Sequence, residues 1–317
     1  MKILKILILG SNGFFGKSIK NLFKNEKYDF FYLERKDVDF LEKNQLNNKF
    51  QEIMPDIVIH CCGIIGSSES NKEVDQLYIL NTNIILNVNI FECCNNTKSV
   101  KKLILFSTYR CFPQNIHEFY NEDSLSFINL LVDQQNNGYL ISKKIMHIQM
   151  EVLKKTNPSM QIICLIIPNI FGYYDHFTKN GRIVPSIISK INEEKQEKQK
   201  EKEENIYIHS HHKTQVNIIY MNDIIKLLSI CVERNDIHGN IIVFDYKSIV
   251  TLEELANKIK ILLNSNKTII FDSHKSLEQS NIMKPDTSKF NKLFSDFTFS
   301  KIDDSLKETI DFYLSTS

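Results

Sequence analysis

The chain has 317 residues, and its 39 Lys and Arg residues nearly balance its 38 Asp and Glu residues. A net charge of +1 supplies no long-range attraction to nucleic acid or to an anionic membrane, so we expect neither as a partner. An apolar content of 42% and a charged content of 24% are typical of a globular protein. No segment approaches the roughly 18 apolar residues that span a bilayer.

Buried strands alternate with helices along the first half of the chain. Strands are predicted at 2–9, 29–34, 55–63, 101–107 and 161–172, and helices at 17–25, 80–94 and 137–155. This alternation predicts an α/β fold of the Rossmann type, with a doubly wound parallel sheet. From about residue 180 the pattern changes to a helix, a polar tract, an isolated strand and further helices. We therefore assign 1–178 to a dinucleotide-binding domain and 179–317 to a smaller mixed α/β lobe that binds substrate, and expect the two to exchange segments.

Seven cysteines, including the adjacent pairs Cys61-Cys62 and Cys93-Cys94, follow no disulfide framework. Reduced thiols in the core indicate a cytoplasmic protein. Three histidines at 209–212 have no second cluster of ligands, so no metal site is expected. The charged tract at 192–205 is interpreted as a solvated helix end or surface loop rather than an interaction tail.

A glycine-rich turn directly follows the first predicted strand. Gly10, Gly13 and Gly16 stand three residues apart in the sequence GSNGFFG. Gly10 permits a tight turn, Gly13 lets backbone N–H groups approach a pyrophosphate, and Gly16 allows close helix–sheet packing. We assign this turn, together with Asn12 and Phe14, to the binding of a dinucleotide cofactor.

The end of the second strand bears on which dinucleotide binds. Glu34 would accept hydrogen bonds from ribose hydroxyls and favours NAD(H), whereas Arg35 and Lys36 would neutralise a 2′-phosphate and favour NADP(H). We expect NADP(H), with NAD(H) as the alternative. Asp39 and Phe40 then flank the adenine, or else simply form the entry of a loop.

A tyrosine and a lysine in the sequence YLISK are spaced for proton transfer. Tyr139 and Lys143 stand four residues apart on a predicted helix, so both project from one face. An ammonium beside a phenol stabilises the phenolate and lowers the pKa of the phenol from about 10. Tyr139 is thereby a competent proton donor or acceptor for a carbonyl or an alcohol.

The order of these pieces resembles that of a known family. The set GSNGFFG, DIVIHCCG, LILFSTYRCFP, YLISK and IPNIFGYYDHFTKNGRIVPSIISK resembles the extended short-chain dehydrogenase/reductase (NAD-dependent epimerase/dehydratase) family. The last piece and NIIYMNDI look most like the GDP-L-fucose synthase branch. Members of that branch epimerise and then reduce a 4-keto-6-deoxy nucleotide sugar. The resemblance covers about Lys2 to Leu228.

The resemblance implies roles for individual residues. Thr108 falls where the family has the catalytic Ser or Thr that polarises the sugar oxygen. Tyr139 falls at the acid, and Lys143 at its partner, which also holds the nicotinamide ribose. Cys61 and Pro168 are assigned to the cofactor site. Candidates for contact with the nucleotide sugar are Asn83, Arg110, Asn169, Arg182 and Lys190.

Two departures from the family bear on the reaction. Fucose synthases use a Cys and a His in epimerisation, and this chain has Arg110 and Arg182 in those places. A guanidinium stays protonated and cannot readily act as a base, although both arginines could bind an anionic group of the substrate or be merely exposed. Cys111 and His176 stand nearby as substitutes, but Cys111 faces away if the strand alternation continues.

The sequence therefore predicts an enzyme that uses NADPH to reduce the C4 carbonyl of a 4-keto-6-deoxy nucleotide sugar. Tyr109 and Arg110 stand where a 4,6-dehydratase has Asp and Glu, which argues against elimination. The alternatives are an NAD-dependent 4-epimerase and a non-catalytic dinucleotide-binding sensor. Relatives often pair through two helices of each subunit, so the apolar faces of 80–94 and 139–153 predict a homodimer.

Overall fold

The computed structural model describes residues 3–65, 75–112, 120–127, 138–179, 181–192, 205–272 and 284–316. Pro113, which ends the predicted FSTYRCFP loop, and residues 193–204 of the charged tract lie outside these ranges. The chain divides into two compact units. The first comprises Met1–Ile167, Ile225–Val243 and Pro285–Ser295, and the second Pro168–Ile224, Phe244–Lys284 and Asp296–Ser317. Residues 168–178, assigned above to the first domain, belong to the second unit.

Strands and helices alternate along the described chain. The strands are β1 (Leu4–Leu9), β2 (Tyr28–Leu33), β3 (Ile57–His60), β4 (Lys102–Thr108), β5 (Gln161–Ile167), β6 (Asn169–Phe171), β7 (Asn205–Ile208), β8 (Gln215–Tyr220), β9 (Gly239–Ile242), β10 (Ile249–Thr251) and β11 (Thr268–Phe271). The helices are α1 (Phe14–Leu22), α2 (Lys43–Ile53), α3 (Gln76–Asn96), α4 (Gly138–Thr156), α5 (Ile183–Asn192), α6 (Met221–Glu233), α7 (Leu252–Leu262), α8 (Ser288–Leu293) and α9 (Ile302–Thr316). Helix α2 was not predicted, because only Leu46, Phe50 and Ile53 mark its buried face in a polar segment.

The first unit is built on a six-stranded parallel sheet with the strand order β2-β1-β3-β4-β5-β9. The chain runs from β1 outward to β2 on one side and then to β3 on the other, so the strand order reverses between β1 and β3. Sheets of this kind bind ligands outside the carboxyl ends of their strands at such a reversal. The predicted Rossmann-type fold is confirmed.

Burial follows from the parallel arrangement. Strand β5 is buried along its whole length, and β1 is buried from Ile6 to Leu9. Parallel strands read as continuous apolar runs because helices cover both faces of such a sheet. Among the described residues one helix, α3, is long and apolar enough to cross a membrane. It packs against α2 and α4, with Ile79, Leu86 and Ile90 buried, so packing in the core explains its apolar content.

The second unit contains two small sheets. Strand β8 lies between β10, which is antiparallel to it, and β6, which is parallel, while β7 pairs with β11. Side chains from α5, α7 and α9 pack with Phe171 and Tyr220 in a single apolar cluster. Thr251 and Glu254 form a capping box at the start of α7, which satisfies two backbone N–H groups there.

A buried lysine joins β4 to the end of α6. Lys102 is 3% exposed, and its Nζ donates hydrogen bonds to the carbonyl oxygens of Cys231 (2.8 Å), Val232 (2.6 Å) and Arg234 (2.9 Å). The last turn of a helix leaves carbonyl groups without helical partners, and its dipole favours a cation. Burial lowers the pKa of Lys102 to about 8, which still leaves the ammonium charged at pH 7.

We expect Lys102→Met to lower the free energy of unfolding by about 2–4 kcal/mol, because buried carbonyl groups lose their donor. Urea unfolding at pH 7 measures this loss. Lys101→Met is the matched control, since the side chain of Lys101 is exposed, and a change within about 0.5 kcal/mol is expected there. Equal losses in the two variants would contradict a capping role for Lys102.

Candidate active site

The glycine turn between β1 and α1 is wound too tightly for larger residues. Gly10 has φ +83°, and its N–H donates to the carbonyl of Leu33 at the end of β2 (3.0 Å). A Cβ atom on Gly16 would lie 2.4 Å from the carbonyl oxygen of Gly10 and from Cα of Ser11. The first turn of α1 therefore lies directly against the end of β1.

The start of α1 has no side-chain cap, and the N–H of Gly13 donates to the carbonyl of Gly10 (3.1 Å). Gly13 is the N-cap and has no side chain with which to cap the helix. Asn12 and Gly13 are exposed, whereas Phe14, the first helical residue, is buried and packs in the core. N–H groups at a helix start, with the positive end of the helix dipole, fit the pyrophosphate of a dinucleotide. The residues present therefore fit the predicted cofactor.

Only some of the residues after β2 that were predicted to bind the cofactor have exposed side chains. The carboxylate of Glu34 forms an ion pair with Lys36. Phe40 is 4% exposed, so its ring belongs to the core of the first unit. Arg35 and Asp39 are exposed, and Asp39 also accepts a hydrogen bond from the N–H of Leu41 (3.0 Å). The predicted contacts of Arg35, Asp39 and Phe40 with the cofactor stay predictions.

The loop after β3 is held by buried polar groups. His60 Nδ1 accepts from the N–H of Cys62 (3.2 Å), and Nε2 lies 3.0 Å from Asn87 Oδ1, so the imidazole is neutral with its proton on Nε2. Burial lowers the pKa of His60 to about 4. Cys61, half-buried, borders the glycine turn, with its carbonyl carbon 3.1 Å from where a Cβ of Gly10 would lie.

Asn83 joins this loop to helix α4. Its Oδ1 accepts from the N–H of Ile64 (2.8 Å), and its Nδ2 donates to the carbonyl of Ile64 (2.9 Å) and to Ser142 Oγ (3.2 Å). The side chain is buried. Both ends of the amide are therefore used within the protein, and a direct contact between Asn83 and substrate stays a prediction.

Tyr139 and Lys143 lie on α4 as predicted from their spacing. Lys143 Nζ donates to the carbonyl oxygen of Phe106 on β4 (2.8 Å) and lies 5.9 Å from the centroid of the Tyr139 ring. Burial lowers the pKa of Lys143 from its usual value. The ammonium thus stands beside the aromatic ring of Tyr139, at the distance of a cation–π contact.

Thr108 ends β4 and begins the next turn. Thr108 Oγ1 accepts from the N–H of Arg110 (3.3 Å) and caps the 3-10 turn Tyr109–Cys111, which contacts α4. A hydroxyl can accept this bond and still donate its own proton. Arg110 is exposed. Cys111 is 0% exposed, with its Sγ 3.7 Å from Ser107 Oγ, and burial raises the pKa of its thiol.

The second unit holds the remaining predicted residues. Pro168 is buried, and Asn169 Nδ2 donates to the carbonyl of Asn217 (3.2 Å). Lys190 Nζ donates to the carbonyl of Tyr207 (3.3 Å), and burial lowers the pKa of Lys190. Their contacts with cofactor or substrate stay predictions.

Arg182 has an acidic partner in its own unit. Its Nε lies 3.1 Å from each carboxylate oxygen of Asp175, and its Nη2 also contacts Asp175 Oδ1. The N–H of His176, an exposed residue, donates to the same carboxylate (2.7 Å). The guanidinium of Arg182 is thus already bound by a carboxylate of its own loop. To bind an anionic group of the substrate as predicted, Arg182 would have to contact both anions or release Asp175.

Sequence reasoning missed Ser107 and His147, whose side chains lie 2.8 Å apart in the core of the first unit. One signal was available, because His147 follows Lys143 at the same spacing of four that joins Tyr139 to Lys143. No group of three or more His, Cys, Asp or Glu side chains that could hold a metal occurs among the described residues.

Comparison with known proteins assigns the family. The profile of the NAD dependent epimerase/dehydratase family matches residues 6–243 of this chain. The GDP-L-colitose synthase of Yersinia pseudotuberculosis is 26% identical over 189 residues, which cover 59% of this chain and 60% of that protein. The match thus spans about three fifths of the relative's length.

Solved structures share the fold. A GDP-L-fucose synthetase from Naegleria fowleri bound to NADP superimposes with a TM-score of 0.84 at 21% identity, covering 100% of this chain and 94% of that one. A UDP-glucose 4-epimerase from Thermotoga maritima with UDP-glucose gives a TM-score of 0.80 at 17% identity, covering 99% of both chains. A synthetase and an epimerase thus share this fold, so the fold does not choose the reaction.

The chain belongs to the NAD dependent epimerase/dehydratase family. This membership confirms the predicted resemblance, the class of NAD(P)-dependent enzyme and the nicotinamide dinucleotide cofactor.

Two glycine variants separate packing from cofactor binding. Gly16→Ala should destabilise the protein, because its Cβ would lie 2.4 Å from backbone atoms that cannot move aside.

Gly13→Ala should fold normally, since its Cβ would lie 3.5 Å from Gly10 O, an ordinary contact. It should nevertheless bind NADPH about tenfold more weakly, because the methyl group obstructs the approach of the pyrophosphate. Thermal unfolding and fluorescence titration measure the two effects, and normal NADPH affinity in Gly13→Ala would contradict this account of the turn.

Proposed function

We propose that this protein uses NADPH to reduce the C4 carbonyl of a 4-keto-6-deoxy nucleotide sugar. The observation that carries the proposal is the placement of Lys143 between the Phe106 carbonyl on β4 and the ring of Tyr139. Thr108 stands two residues after Phe106, at the end of the same strand. A hydroxyl, a phenol and an ammonium at the carboxyl end of a parallel sheet are the groups that carbonyl reduction requires.

The cofactor would be held by the glycine turn, with its pyrophosphate at the start of α1 and its nicotinamide ribose at Lys143. When bound, the nicotinamide supplies the hydride. Arg35 is exposed after β2, and Glu34 is paired with Lys36, which together support NADP(H) over NAD(H). The Naegleria fowleri synthetase of the same fold was solved with NADP.

The protein's own groups would handle the proton and the developing charge. Thr108 and Tyr139 would donate hydrogen bonds to the carbonyl oxygen of the sugar, which stabilises negative charge as it forms there. The Tyr139 hydroxyl would then transfer its proton to that oxygen. The Lys143 ammonium would stabilise the phenolate left behind, which makes Tyr139 a stronger acid. We rank GDP-linked sugars first, because the relatives named above include a GDP-L-colitose synthase and a GDP-L-fucose synthetase.

Epimerisation is not part of the proposed reaction. The side chain of Cys111 is buried, and its pKa is raised, so the thiol is a poor acid or base for a sugar carbon. Arg110 is a guanidinium and cannot readily accept a proton. Arg182 is engaged by Asp175. These observations support a reductase that leaves C3 and C5 of the sugar unchanged.

The test follows NADPH oxidation with 4-keto-6-deoxy sugars linked to GDP, UDP or dTDP, in parallel with NADH. Tyr139→Phe should lower kcat/KM about 10²–10⁴-fold, the usual contribution of a general acid. Tyr246→Phe is the matched control, because Tyr246 is an exposed tyrosine of the second unit that no part of the proposal uses. The reaction is run in deuterium oxide, and no deuterium is expected at C3 or C5 of the product.

Other outcomes would point elsewhere. Deuterium at C3 or C5 would show that epimerisation occurs. Tightly bound NAD that copurifies and is not consumed, together with inversion at C4, would establish a 4-epimerase instead. Tight cofactor binding without turnover of any sugar would leave the non-catalytic sensor as the remaining reading.

A homodimer is part of the proposal. The large apolar side chains exposed on α3 and α4, two helices that pack together, are Leu77, Tyr78, Ile85, Val88, Ile148 and Val152. Apolar side chains gathered on neighbouring helices mark a surface for association. We assign it to a second copy of this chain. All seven cysteines are free thiols, which supports a reducing, cytoplasmic location.

We expect the double substitution Ile85→Glu and Ile148→Glu to convert a dimer into a monomer, because carboxylates would be buried without partners. Light scattering coupled to gel filtration measures the mass. Ile261→Glu is the control, since Ile261 is a highly exposed isoleucine on α7 of the second unit. A monomeric wild type, or a dimer that survives the double substitution, would refute this interface.

A further inference from the structure

A chain of buried hydrogen bonds lies beside the proposed catalytic groups in the first unit. Ser107 Oγ lies 2.8 Å from His147 Nε2, and His147 Nδ1 lies 3.2 Å from Asn240 Oδ1 on β9. Ser107 and His147 are each 3% exposed. The chain therefore joins the end of β4, the middle of α4 and β9, and neither the glycine turn nor the Tyr139–Lys143 pair explains it.

The direction of these bonds follows from the acceptor at one end. An amide oxygen only accepts, so His147 Nδ1 carries the proton and Nε2 accepts from the hydroxyl of Ser107. Ser107 Oγ then accepts from the thiol of Cys111, 3.7 Å away. The imidazole is neutral in this arrangement, in agreement with a pKa that burial, followed by the charge of Lys143, lowers to about 4.

The same helix face meets consecutive residues of β4. Tyr139, Lys143 and His147 are four residues apart and form one row along α4. Lys143 binds the carbonyl of Phe106, and His147 binds the side chain of Ser107, the next residue. Two successive turns of α4 are thereby tied to β4 immediately before Thr108. One of these ties uses a proposed catalytic lysine, and the other uses a residue that touches no reacting atom.

We propose that His147 is a positioning residue, which holds α4 against the end of β4 through Ser107 and so keeps Tyr139, Lys143 and Thr108 in register. The inference rests on the proposed reduction for its kinetic readout. Small displacements of reacting groups cost large factors in rate, about 10²-fold for a shift near 1 Å. Loss of these hydrogen bonds should therefore lower kcat and leave the binding of NADPH and sugar nearly unchanged.

Four variants test this inference in the full-length protein. His147→Leu removes both hydrogen bonds at similar volume and should lower kcat about 10–100-fold, with KM for the sugar and Kd for NADPH within about threefold of wild type. His147→Gln should recover most of the loss, because an amide oxygen can accept from Ser107. Ser107→Ala should lower kcat to a similar extent. The double variant Ser107→Ala/His147→Leu should lose no more than either single one, because both belong to one chain.

Met150→Ala is the matched control for lost stability, since Met150 is a buried residue of the same helix outside the row. It should lower Tm and leave kcat unchanged at a temperature where every variant is folded. Loss of kcat in Met150→Ala equal to that in His147→Leu would overturn the inference, as would a full kcat in His147→Leu or additive losses in the double variant.

A second measurement does not depend on the sugar. The ¹⁵N spectrum of the histidine side chains should show His147 as the Nδ1–H tautomer, with its signal altered in Ser107→Ala. An Nε2–H tautomer, or an imidazole signal that does not change in Ser107→Ala, would contradict the proposed hydrogen bonds of His147. If the wild type reduces no sugar, the proposed function is wrong. The spectrum alone would then test the hydrogen bonds that join Ser107, His147 and Asn240.

Discussion

The candidate site depends on how helix α4 is held against the end of strand β4. The Lys143 ammonium binds the carbonyl of Phe106, and one turn later His147 meets the hydroxyl of Ser107. Another residue of α4, Ser142, accepts a hydrogen bond from Asn83. The Asn83 side chain also accepts from the N–H of Ile64 in the loop after β3. Tyr139 thus lies on a helix that is fastened to two neighbouring strand ends of the sheet.

The electrostatics around Lys143 follow from burial. The charge of Lys143 acts on several buried thiols and imidazoles. Burial raises the pKa of Cys61, Cys62, Cys111 and Cys164, and it lowers the pKa of His60 and His147 to about 4. All of these groups are therefore neutral at pH 7. Neutral neighbours carry no charge that would offset the ammonium, which suits its proposed role in stabilising the Tyr139 phenolate.

The departures from the fucose synthase pattern form a consistent set. Arg110 ends up exposed on a short turn, Cys111 packs inward against Ser107, and Arg182 is engaged by Asp175. In the proposed reaction, Arg110 and Arg182 replace a Cys and a His that could take a proton from carbon, whereas the Tyr139–Lys143 pair is retained. The members of the fold named above include a synthetase and an epimerase, so the difference between reactions must come from such side chains rather than from the sheet.

The sequence by itself determined what depends on spacing within one element. The order of strands and helices, the glycine turn and the row formed by Tyr139 and Lys143 are local patterns, since a strand alternates with a period of two and a helix with 3.6. Helix α2 was missed because few apolar residues mark its face.

Only the tertiary structure decided which polar side chains form hydrogen bonds with which partners. Asn83 meets Ile64 and Ser142, Lys102 meets the end of α6, and His147 meets Ser107 and Asn240. Most of these partners are far apart in the chain, and a buried polar group finds its partner by proximity in the folded core, which no spacing along the sequence reveals.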